Sequence, residues 1–148
     1  MKVRDIMTKN ITTFSHNANA KEALKTLEEM QISGLPVVDD ENKVVGVFTE
    51  KEALAAILPS YITKVGSFVY KDVPKAVRQK IADFGNMKVK DIMRREFVTV
   101  DEDATLYESA HIMLTQKIRR VPVVNKEKTV VGIISRGDVV KALFEEYK

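Results

Sequence analysis

The segment that opens this chain returns 86 residues later, and any fold proposed for it has to accommodate both copies. Lys2-Val3-Arg4-Asp5-Ile6-Met7 matches Lys88-Val89-Lys90-Asp91-Ile92-Met93. The same offset of 86 pairs Thr13 with Thr99, Ala18 with Ala104, Glu22 with Glu108 and Ile32 with Ile118. It continues through Pro36-Val37-Val38 and Pro122-Val123-Val124, Val44-Val45-Gly46 and Val130-Val131-Gly132, and Ala56 and Ala142, without an insertion or deletion. A period held this strictly means two copies of one supersecondary unit. A copy of about 57 residues buries too little surface to stand comfortably alone, so the two are predicted to share an interface.

Each copy reads as β-α-β-β-α. A short β-rich run, Ile11–Phe14 or Phe97–Val100, precedes a helix whose start is marked by Asn19 with Glu22, or Thr105 with Glu108. A side-chain acceptor with a glutamate three residues on is a capping box. Helical spacing places Ala20, Ala23, Leu24 and Leu27, or Leu106, Ala110, Met113 and Leu114, on a buried face. Two strands follow, Leu35–Val38 and Val44–Phe48, or Val121–Val124 and Val130–Ile134, each pair around a polar turn. The second helix begins at Thr49 or Ser135, with Ala53, Leu54, Ile57 and Leu58, or Val139, Val140, Leu143 and Phe144, expected inside. The organisation expected is a first copy over 1–58, a helical connector over 59–87 and a second copy over 88–148. Within the connector, Val73, Val77, Ile81 and Phe84 predict a helix over 73–84, and Tyr61, Val65 and Phe68 a further helical stretch over 60–70.

Several chemistries are excluded early. Cysteine is absent and two histidines, His16 and His111, lack paired spacing, so no metal site is expected. No nucleophile–base pairing or glycine-rich phosphate loop occurs in a suitable context, so the chain reads as a binding protein without a catalytic cofactor. No apolar run approaches the ~20 residues of a membrane span, and the start is not that of a signal peptide; a cytoplasmic protein with no membrane partner is expected. The net charge of +3 is too slight for a dedicated nucleic-acid binder, although Lys and Arg outnumber Asp and Glu by 5 to 2 over 59–87.

The doubled pattern of Val-x-Asp-Ile-Met, then Ile-x-x-apolar-Pro-Val-Val, then Val-Val-Gly-apolar-apolar-Ser/Thr-x-x-acid resembles the CBS domain, named after cystathionine β-synthase. Two copies in tandem resemble a Bateman module, the pseudo-twofold CBS pair, here stand-alone. The resemblance covers nearly the whole chain. It implies an α+β fold, two clefts between the copies, and a regulatory ligand containing adenosine, such as AMP, ADP, ATP or S-adenosylmethionine. It also implies homodimers built on the helices, with signalling to an unidentified effector protein.

The candidate site residues each carry two readings. Ser135 and Asp138 form a helix-capping pair. Placed at a helix N-terminus, their hydroxyl and carboxylate also suit a ribose and a phosphate, the contacts the resemblance implies. Arg119 and Arg120 are either solvated charges or phosphate ligands, since guanidinium matches phosphate geometry; as neighbours on a strand, only one is expected to face a ligand. Thr99, Ile118 and Pro122 are sheet and core residues by default, and walls of an adenine pocket by resemblance. Their counterparts in the first copy are Thr13, Ile32 and Pro36. There Ser33-Gly34 replaces the arginines, and Thr49 with the longer Glu52 replaces Ser135 and Asp138, so the two sites are expected to be unequal. The alternatives to an adenosyl-ligand sensor are a structural oligomerisation module with vestigial clefts and a weak nucleic-acid binder.

Overall fold

The computed structural model describes residues 1–59 and 73–148; the stretch expected to be helical over 60–70 lies outside the described residues. The elements are α1 (Val3–Ile6), β1 (Phe14–Ser15), α2 (Ala20–Met30), β2 (Gly34–Val38), β3 (Val44–Thr49), α3 (Glu50–Ile57), α4 (Val73–Phe84), α5 (Val89–Ile92), β4 (Val100–Asp101), α6 (Leu106–Gln116), β5 (Arg120–Val124), β6 (Val130–Ser135) and α7 (Arg136–Glu146). The α+β class and the β-α-β-β-α order of each copy are as expected, and α4 occupies the whole of its predicted span. Two three-stranded sheets run β1-β2-β3 and β4-β5-β6. In the second, β4 lies parallel to β5 through Val100–Val123 and Asp101–Val124, and β6 returns antiparallel to β5. No described helix is long and apolar enough to cross a membrane.

The β-rich runs that open each copy are strands only at their ends. Pairing begins at Phe14 and Val100, whose partners are Val37 and Val123. The helix starts hold as N-caps, Asn19 Oδ1 accepting the Glu22 amide at 3.1 Å and Thr105 Oγ1 the Glu108 amide at 3.2 Å, but neither glutamate returns the bond that would complete a capping box. Both helices end in a left-handed residue, Gln31 (φ 55°) and Lys117 (φ 56°). The next amides, of Ile32 and Ile118, reach back to the Leu27 and Met113 carbonyls at 3.1 Å, closing a Schellman-type cap. Only glycine takes that conformation without a Cβ clash. Gln31→Gly and Lys117→Gly should therefore each stabilise the protein by about 0.5–1 kcal/mol in urea unfolding.

The chain forms two compact units, Met1–Thr12 with Asp40–Val44 and Phe97–Lys148, and Thr13–Asp39 with Val45–Glu96. Each unit takes its opening segment from the other copy. In the first unit the Val3 amide bonds the Ala104 carbonyl at 2.8 Å, Arg4 bonds Glu102 at 2.9 Å, and Thr8 and Ile133 exchange backbone hydrogen bonds. In the second, displaced by the repeat offset, Val89 bonds Ala18, Lys90 bonds His16, and Arg94 and Val47 exchange theirs. Val3 and Val89 are fully buried, each in the core assembled from the opposite copy: Val3 with Val100, Met113, Val121, Val123, Ile134 and Val139, and Val89 with Phe14, Leu27, Val37 and Phe48. This exchange explains the repeated Lys-Val-x-Asp. The aspartate turns back to accept the lysine amide, Lys2 to Asp5 at 2.7 Å and Lys88 to Asp91 at 2.9 Å, starting the short turn that delivers the valine. Arg4 adds an ion pair with Asp103 in the first unit. Partial burial pushes the Asp103 carboxyl up, but its hydrogen bond to Arg4 and the charges of Arg4 and Lys2 outweigh this and hold it below the ordinary value.

Four residues expected inside are outside. Leu114 is 76% exposed, Phe144 77%, Leu54 55% and Val140 53%. The inner face of α7 is made by Val139, Ala142 and Leu143 instead. The apolar stripe of α7 is wider than one neighbour covers, so it wraps onto the solvent side. In α6 the place of Ala23 is taken by Ser109, fully buried, whose hydroxyl donates to the Leu106 carbonyl at 2.7 Å.

Candidate functional site

Every candidate residue of the second copy lies within the first unit, gathered where β6 turns into α7. The antiparallel register sets Arg120 opposite Ser135, Val121 opposite Ile134 and Pro122 opposite Ile133. Cross-strand partners share a face and successive residues alternate. Val121, Val123 and Ile134, all fully buried, take the core side, so Arg120, Pro122 and Ser135 share the other. Register sets Arg120 opposite Ser135, while Arg119 precedes the paired strand. Thr99 comes immediately before the Val100–Val123 pair, which brings it level with Pro122.

Ser135 caps α7. Its Oγ accepts the Asp138 amide at 3.1 Å, and Asp138 Oδ2 accepts the Ser135 amide at 2.9 Å. The capping reading is therefore correct as far as it goes, but it leaves chemistry unused. The Ser135 hydroxyl hydrogen has no acceptor and Asp138 Oδ1 no donor among the described residues, and both side chains are only half-buried. The arginine left out of the sequence reading is Arg136. Its amide donates to the Arg119 carbonyl at 2.9 Å and its Nε to the Ile118 carbonyl at 3.2 Å. That leaves four guanidinium hydrogens over, and fastens the approach to β5 onto the start of α7. Its signal was its place between the capping serine and Gly137. With Arg119 and Arg120, Arg136 makes a cluster whose one acidic neighbour in the motif is Asp138, for a net charge of +2.

The first copy is wired differently. The Thr49 hydroxyl accepts the Lys51 amide at 3.1 Å and donates to Glu52 Oε1 at 2.8 Å. The extra methylene lets Glu52 reach the hydroxyl rather than the backbone, so acid and hydroxyl consume each other. Gly34 lies against Thr49: a Cβ there would stand 2.5 Å from Thr49 Cγ2 and 3.0 Å from the Phe48 carbonyl oxygen. Ile32 closes the end of α2, Pro36 is buried in β2, and Thr13 precedes β1. Across the corresponding motif, Glu50, Lys51 and Glu52 sum to −1. Among the described residues no group of histidines and acids is arranged to hold a metal ion.

Residues 3–59 and 89–145 each match the CBS domain family. The chain belongs to the CBS domain family. Among CBS-domain relatives with solved structures, CBSX2 of Arabidopsis thaliana, crystallised in complex with AMP, superposes with a TM-score of 0.75 at 28% identity over 99% of this chain and 98% of that one. The uncharacterized protein MJ1426 of Methanocaldococcus jannaschii is 30% identical over 97% of this chain and 91% of its own length. An inosine-5'-monophosphate dehydrogenase of the same organism is also 30% identical over 95% of this chain, which spans only 23% of that enzyme.

Proposed function

We propose that this chain is a regulatory CBS pair that binds an adenosine-containing ligand of the AMP, ADP and ATP class at the start of α7. The observation that carries this reading is the unsatisfied chemistry there: the Ser135 hydroxyl hydrogen, Asp138 Oδ1 and the Arg120 guanidinium, all beside the first turn of one helix. Asp138 takes the ribose hydroxyls, and Ser135 with Arg120 takes the phosphate. Thr99, Ile118 and Pro122 wall the base. The AMP complex of CBSX2 supports the ligand class. S-adenosylmethionine shares the adenosine half but offers no phosphate to the arginines, so it ranks below the nucleotides. Nothing in this arrangement supplies an acid–base pair for catalysis, and the module acts by favouring whichever of its states holds the ligand more tightly, read by an effector protein.

Melting curves with AMP, ADP, ATP, S-adenosylmethionine and NADH test the reading. A ligand at 100 times its dissociation constant stabilises by about 2.7 kcal/mol, a rise of roughly 5–10 °C for a protein of this size. The nucleotides should give that rise. No shift with any of them would leave a structural module with vestigial sites.

The helices carry a second surface. Tyr107, Leu114, Val140, Phe144 and Tyr147 are all more than half exposed on α6 and the α7 end. The Tyr107 and Tyr147 hydroxyls are hydrogen-bonded to each other, and that bond, with some burial and the charges of Tyr147 and Glu146, raises the Tyr107 phenol to about 12. At the repeat offset Tyr107 and Leu114 replace Lys21 and Glu28, so the apolar surface is concentrated on the second copy. We propose that a second copy of the chain covers this surface, as an isologous homodimer. Phe144→Glu should then shift the sedimenting species from dimer to monomer without lowering helix content; an unchanged dimer would place the contact elsewhere.

A further inference from the structure

Residues 34 and 120 occupy equivalent places at the start of the second strand of each sheet, and residues 49 and 135 equivalent places at the end of the third. In one copy the pair is glycine with threonine; in the other it is arginine with serine. The structure ties the two differences together. Threonine and serine differ by one methyl group. In the first copy that methyl is the nearest atom to the space where residue 34 would place a Cβ, at 2.5 Å, with Thr49 Cβ at 3.0 Å. Real Cβ atoms do not approach that closely, because close-packed interiors leave no overlap to give up.

Nor is the methyl free to turn aside. The Thr49 hydroxyl is held twice, by the Lys51 amide and by Glu52, and a β-branched side chain has few χ1 states to choose among. Gly34's own conformation is not the obstacle, since it lies outside the left-handed region that favours glycine; the Phe48 carbonyl oxygen, 3.0 Å from the same Cβ, is a looser contact than the methyl and stays in place whichever residue stands at 49. In the second copy Ser135 has no methyl, and Arg120 stands opposite it in register.

We propose that the methyl of Thr49, acting through Gly34, keeps a cation out of the first copy's site, so that phosphate-bearing ligands are held by the second copy alone. The residue that excludes phosphate from the first copy is therefore Thr49, the helix-capping residue, acting through its methyl group. Lys51, the cation in the first turn of α3, is flanked by Glu50 and Glu52 and does not replace a guanidinium on the strand. The first copy is left able to take an uncharged adenosyl group at most, and the electrostatic difference between the sites, −1 against +2 over the motifs compared above, acts in the same direction.

This inference rests on the adenosyl-ligand reading for its ligand, and on geometry alone for the coupling, so the test has two arms. The first is stability and uses no ligand. Gly34→Arg should lower the melting midpoint by roughly 4–8 °C, and adding Thr49→Ser to the same chain should restore most of it. If the double variant melts with the single one, or Gly34→Arg costs nothing, the coupling is absent and the proposal falls. The second arm is titration with ADP. The wild type should bind one equivalent and Gly34→Arg/Thr49→Ser a second. Ser135→Thr, which puts the methyl beside Arg120, should weaken ADP about tenfold. Two equivalents of ADP on the wild type, or an unchanged affinity in Ser135→Thr, would overturn the proposal. A wild type that binds neither ADP nor adenosine would remove the adenosyl reading, while the stability arm would still decide the coupling.

Discussion

Gly132→Val should lower stability by at least about 3 kcal/mol, a melting midpoint roughly 6–12 °C below wild type. The reason lies outside its own copy. A Cβ at residue 132 would stand 2.7 Å from the Thr8 carbonyl oxygen and 2.8 Å from Met7 Sδ. A flexible sulfur can retreat; a backbone oxygen in a paired bridge cannot, because Thr8 exchanges hydrogen bonds with the neighbouring Ile133. Gly46 meets the same obstacle in Arg94 O at 2.9 Å and Met93 Sδ at 2.6 Å, so Gly46→Val should behave alike. Gly137 is the control. A Cβ there has only Ser135 Oγ within reach, at 3.8 Å, and Gly137→Ala in the first turn of α7 should be neutral or stabilise by up to about 1 kcal/mol. If Gly132→Val melts with the wild type, the N-terminal segment does not dock on β6.

The repeated glycine shows what the sequence could and could not convey. Val-Val-Gly in both copies marks a position that serves the fold, and so does Ile-Met after Lys-Val-x-Asp. That these two motifs touch, each copy's methionine against the other copy's glycine, is not visible along the chain. A repeat offers two self-consistent pairings, within a copy or across copies, and local pattern is identical for both; only the closed cores of Val3 and Val89 decide it. Strand and helix order were legible because period-2 and period-3.6 patterning and capping residues are local. The outward turn of Leu54, Val140, Phe144 and Leu114 was not, since periodicity finds an apolar stripe without saying how much of it a neighbour covers.

The candidate site was legible in part. The Ser135–Asp138 motif and the arginines could be named from the repeat, because the two copies differ there while agreeing around it. The role of Arg136 needed the Ile118 carbonyl, which is distant in sequence, and the opposition of Thr49 and Gly34 needed the sheet. Glu52, legible in the sequence as the longer counterpart of Asp138, is consumed by the Thr49 hydroxyl, which needed the structure to see.

The second large effect is at Asp138. Asp138→Ala removes the acceptor of the Ser135 amide as well as the free Oδ1, so the unliganded protein should lose about 1 kcal/mol of capping, a fall of roughly 2–4 °C. Ligand binding should lose far more. A carboxylate accepting ribose hydroxyls contributes charge-assisted hydrogen bonds, and its removal should weaken a nucleotide roughly 10- to 100-fold. The two losses separate cleanly, because a cap affects melting with and without ligand equally. The direct measurement is a calorimetric titration of AMP and ADP into wild type and Asp138→Ala at a temperature where both are folded. The site described here predicts saturable binding to the wild type and a loss of at least about tenfold in the variant. Equal affinities would assign Asp138 to capping alone, and no binding to the wild type would contradict the nucleotide site itself.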